Sequence, residues 1–70
     1  MSSDPLEELL AEYEEQLKKL DNAHDAYIAK MVSLNQPVLK TSPVIVEFNE
    51  LRTYLVDKID SLKKIIAQSV

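Results

Sequence analysis

The chain has 70 residues, 46% hydrophobic and 29% charged, with a net charge of −4 and neither glycine nor cysteine. That length makes one small domain, and the composition is that of a folded chain rather than a disordered one. Without glycine there is no Walker or dinucleotide loop and no EF-hand turn; without cysteine there is no disulfide framework, thiol nucleophile, zinc knuckle or iron–sulfur site.

No apolar run approaches the ~20 residues needed to span a bilayer. Met1, Ser2, Ser3, Asp4 and Pro5 lack the basic-then-apolar order of a secretory leader, so the expected location is cytoplasmic. The charge is divided along the chain: residues 1–29 carry eight acids against Lys18 and Lys19, whereas residues 30–70 carry six bases against four acids. The two halves therefore attract one another.

A first helix is expected over residues 5–34. Asp4 is a good N-cap, Pro5 fits the first helical position, and Glu7 completes an Asp-x-x-Glu capping box. Along it, Leu6, Leu10, Tyr13, Leu17, Leu20, His24, Tyr27, Met31 and Leu34 fall at alternating steps of four and three. That 3.5-residue repeat is the seam of a helix packed lengthwise on another helix. Asn35, Gln36 and Pro37 then stop it, because asparagine tolerates a left-handed backbone and proline disfavours helix at the residue before it.

Residues 35–43 form the loop, and Ser42-Pro43 repeats the entry grammar of Asp4-Pro5, so a second helix is expected over residues 43–68. Its central stripe is Phe48, Leu55 and Leu62, flanked by Val44, Leu51 and Ile65 on one side and by Ile45, Ile59 and Ile66 on the other. A face that wide suits contact with more than one helix. Folding the chain with Leu34 level with Val44, to within one helical turn, sets Glu15 against Lys63, Glu14 against Lys64, Lys18 against Asp60, Asp25 near Arg52 and Lys30 near Glu47, which favours an antiparallel register.

His24 alone interrupts the first seam. Asp21-x-x-His24 has the i, i+3 spacing of a bundle metal element, but no inward carboxylates are expected opposite it, where Leu51 and Leu55 fall. The reading is a core residue that sets register, buried among leucines. Ser33, Ser42 and Ser61 have no expected place against His24, so no catalytic, cofactor or metal site and no small-molecule substrate is expected. Tyr13 and Tyr27 read as core residues. Short antiparallel hairpins that dimerise into four-helix bundles can bind RNA, as the plasmid-copy-control Rop protein does, and a Rop-like nucleic-acid-associated regulator is the alternative reading. The acidic balance argues against it and against a membrane-surface helix.

The expectation is an all-α, coiled-coil-like antiparallel two-helix hairpin in a single domain, completed to a helical bundle by self-association or a partner. Its expected role is non-enzymatic: a small assembly, adaptor or chaperone-like subunit that binds protein through apolar helix faces. The candidate interaction residues are Ile28, Val32, Val38, Leu39 and Val46 near the loop, with Ile45, Ile59 and Ile66 on the broad face of the second helix.

Overall fold

The computed structural model describes residues 4–68 as two α-helices joined by a short loop, with no strand among the described residues. Residues 1–3, on which the leader expectation rests, lie outside the described residues. The first helix, α1 (Pro5–Ser33), starts where Asp4 leaves it in an extended conformation, its carboxylate accepting from the Leu6 amide at 2.9 Å. The Asp4 carbonyl accepts the first intrahelical bond, from the Glu8 amide at 3.0 Å, so the carboxylate satisfies one of the free N-terminal donors, the Leu6 amide.

The end of α1 is a Schellman turn without glycine. Asn35 adopts φ 56°, the left-handed region; its amide donates to Val32 O at 3.0 Å, and the Gln36 amide reaches back to Met31 O at 2.9 Å. Leu34 is therefore the cap rather than the last helical residue, one position short of the expected end. The Ser33 hydroxyl donates to Lys30 O at 2.8 Å, a second bond to a carbonyl that also accepts the Leu34 amide at 3.1 Å.

The second helix, α2 (Pro43–Gln68), opens on proline as expected, with the Ser42 carbonyl accepting from the Val46 amide at 2.9 Å. The Ser42 amide donates to Leu39 O at 3.0 Å, closing a turn that aims the chain into the helix. The likeness to the first entry lies in the proline and the carbonyl. No hydrogen bond to the Ser42 hydroxyl occurs among the described residues.

The helices pack against each other as a hairpin: Asp21 meets Arg52 and, one turn later on α1, His24 meets Phe48 one turn earlier on α2. Ile45, Leu55, Ile59 and Leu62 of α2 are buried in the contact, while the α1 seam from Leu6 to Met31 is only half-buried. The molecule measures 51 × 24 × 12 Å. Its thinnest dimension is the diameter of one helix, so the hairpin is a single layer with solvent on both broad faces. Its radius of gyration of 16.0 Å exceeds the ~11 Å of a compact chain of this length.

Two features of the expected packing are corrected. The register falls about one turn from the central expectation, at the edge of its one-turn allowance, but the pairings change: Arg52 pairs with Asp21 at 3.1 Å rather than with Asp25, and Lys64 pairs with Asp60 of its own helix at 3.4 Å rather than with Glu14. Exposed ion pairs are too weak to fix a register on their own, so side-chain packing decides it. The second correction is the rotation of α2. Ile45 and Ile59 are buried against α1, leaving Val44, Leu51 and Ile65 outside. This rotation makes residues 45, 48, 52, 55, 59, 62 and 66 one seam at steps of three and four, with Arg52 at its edge beside Asp21.

Candidate interaction surface

The two broad faces of the layer differ in chemistry. Consecutive residues turn by about 100° around a helix, so a side chain's flank follows from its number. In α2, Arg52, Ile45 and Ile59 share one flank, and Leu51, Tyr54 and Ile65 lie on the other. In α1, Glu14, Lys18 and Asp21 share one flank, and Leu9, Leu20 and Tyr27 lie on the other. Since Asp21 touches Arg52, those two flanks form a common face. A shallow depression on it is lined by Glu14, Leu17, Lys18, Asp21, Asn22, Ile59 and Lys63, polar groups of both signs.

The opposite face is apolar and open. Val44, Leu51, Tyr54 and Ile65 are 41%, 48%, 52% and 47% exposed, and on the same flank of α1 Leu9 is exposed while Leu20 and Tyr27 are half-buried. A shallow groove lined by Val44, Glu47, Phe48 and Leu51 runs at its loop end. Two charges interrupt the apolar surface. The Lys58 ammonium sits 5.4 Å from the Tyr54 ring centroid, a cation–π contact, and Glu47 makes no ion pair among the described residues.

This face is a second seam of α2. Residues 44, 48, 51, 55, 58, 62 and 65 again step by four and three, sharing Phe48, Leu55 and Leu62 with the seam that meets α1. A helix with two overlapping seams has neighbours on two sides in a bundle. The inner seam is occupied within the chain and the outer one is open.

The residues singled out in the sequence divide accordingly. Ile45 and Ile59 are buried inside the hairpin and Ile66 is half-buried at its far end, so the broad face of α2 expected to serve binding is largely internal. Ile28 is half-buried on α1, whereas Val32, Val38, Leu39 and Val46 are exposed. They do not make one patch: Val46 lies nine residues from Leu55, on the opposite side of α2, in a groove with Asn49, Glu50 and Thr53. The outer flank carrying Leu51 and Ile65 was legible as half of a wide stripe, but not as the half that stays outside.

His24 is half-buried and lies flat on Phe48, with ring centroids 4.8 Å apart and planes 9° from parallel. It is therefore an aromatic partner at the seam rather than a residue enclosed by leucines, and Tyr27 adds a tilted contact to the same Phe48 ring at 6.0 Å. Among the described residues, no three histidine or carboxylate side chains converge as metal ligands, and no helix is long and apolar enough to cross a membrane. Comparison with protein-family models, curated proteins and solved structures finds no match to this chain.

Proposed function

We propose that the chain is a cytoplasmic, non-enzymatic protein–protein interaction module, a small assembly or adaptor subunit that acts, chaperone-like, by covering an apolar helix face. The hairpin would pack as a coiled coil and be completed to a four-helix bundle by further helices. The observation that carries this reading is the open outer seam of α2, whose Val44, Leu51 and Ile65 are exposed on a layer one helix thick. Exposed apolar side chains aligned along a helix are the usual mark of a contact surface. The mixed charges of the other face argue against a Rop-like regulator, because binding phosphates needs a continuous positive track.

The test compares the purified chain with a Leu51→Asp/Ile65→Asp variant as bait, scoring association with any protein, itself included. Association by the first and its loss in the second, at equal helix content, is the expected result. Equal behaviour of the two baits would overturn the reading.

A further inference from the structure

We infer that the occupant of the open face is a second copy of this chain, related by a two-fold axis perpendicular to the helices at the level of Leu20, a partner whose docking presupposes the interaction-module reading. A two-fold interface is self-complementary: if one residue faces another across it, the reverse contact forms as well. A sequence suited to such an axis reads alike in both directions along the helix, with charges of opposite sign at mirrored positions.

The α1 seam reads alike in both directions in its large side chains, and α2 adds the opposite charges. On α1, Tyr13 and Tyr27 lie equally far from Leu20, and so do Leu6 and Leu34. On α2, Glu47 and Lys58 are the two charges within the open apolar stripe, and they are mirrored about the point between Arg52 and Thr53. Their separation of eleven residues is close to three full turns, so both lie on one line along the helix. An antiparallel copy laid on that line puts each Glu47 opposite the other copy's Lys58, and each Leu51 opposite the other copy's Tyr54.

The two centres were located independently, one from each helix, and the fold brings them level. Asp21 lies against Arg52 and His24 against Phe48, which places Leu20 beside the Arg52–Thr53 step. One axis therefore serves both helices. It sets Leu20 on Leu20, the tyrosines of α1 on one another, and the two charge pairs of α2 at either side.

The surface area suits such a partner. The chain exposes 5536 Å², whereas a compact monomer of its mass exposes about 4,450 Å². The excess of roughly 1,100 Å² is comparable to the ~800 Å² each partner contributes to a stable interface.

The experiment is sedimentation velocity on the purified full chain over a range of concentrations, with Glu47→Lys, Lys58→Glu and the double variant alongside. Both residues are exposed, so circular dichroism should report the same helix content in all four. The native chain should sediment as a dimer. Each single reversal sets like charges together at two places in the interface, raising the dissociation constant by about tenfold. The double variant re-forms both pairs with their signs exchanged, and should recover most of the loss. A native chain that is monomeric throughout, or a double variant no tighter than the singles, would overturn the second copy as partner. If that monomeric chain still binds another protein through Leu51 and Ile65, the broader reading stands; if it binds none, both fall.

Discussion

The His24 imidazole lies on the Phe48 ring at 4.8 Å and nearly parallel to it, while Asp21, one turn back on α1, holds Arg52, one turn on along α2. These two contacts, one stacked and one ionic, joined by the tilted Tyr27–Phe48 contact, fix the register at the middle of a hairpin whose buried core is aliphatic. Leucine against leucine tolerates a slip by one turn; a ring stack beside an ion pair does not.

Removing the stack should therefore cost more than the area it buries. In a double-mutant cycle on His24→Ala and Phe48→Ala, read by urea denaturation, the coupling should be about 0.5–1.5 kcal/mol, the usual range for aromatic pairs. Coupling near zero would mean that the rings are neighbours without a joint contribution.

The same method tests the ion pair and, with it, the register. The Arg52 and Asp21 side chains are 50% and 41% exposed, so their coupling should be below ~1 kcal/mol and should shrink in high salt. Asp25, the partner expected from sequence alone, should show none. Arg52→Leu should raise the melting temperature, because it completes the inner seam with an aliphatic side chain, while weakening the preference for one register.

The helix ends should respond according to their different chemistry. Asp4→Ala removes the carboxylate that holds the Leu6 amide and should cost about 1 kcal/mol. Asn35→Gly should be neutral or slightly stabilising at φ 56°, whereas Asn35→Val should cost about 1–2 kcal/mol through its branched Cβ. Thermal melts followed by circular dichroism would rank the three.

These ends were legible in the sequence because each rests on local chemistry: aspartate before proline, serine before proline, asparagine before Gln36-Pro37. The α1 seam was legible for a similar reason, since its spacing can be counted. The exact register was not, only its value to within one turn, because the surface charges used to set it are individually weak and allow a one-turn slip. Nor was the rotation of α2 about its own axis. Its two seams share Phe48, Leu55 and Leu62, so apolar spacing alone cannot say which flank meets α1. The cue lay in Arg52, which continues the inner seam at a position that Asp21 can reach from α1.

The two flanks should separate in mutagenesis. Leu55→Ala empties a position buried in the hairpin and should cost about 2–4 kcal/mol at any protein concentration. Leu51→Asp changes an exposed residue, so its effect on the melting temperature should be small in dilute protein and grow with concentration. A large cost for Leu51→Asp in dilute protein would place that residue inside the hairpin.

The central claim, that the outer seam of α2 receives an antiparallel second copy, is tested most directly by one distance. The chain has no cysteine, so Lys40→Cys provides a unique attachment point for a spin label in the loop. With the axis between Arg52 and Thr53, each loop lies about 19 Å along the helix from it, at 1.5 Å per residue. Pulsed electron–electron resonance on the labelled chain should therefore give an inter-label distance of about 40 Å. A distance below ~25 Å would place both loops at one end of the bundle, and no dipolar coupling above background would leave the hairpin unpaired; either result contradicts the account.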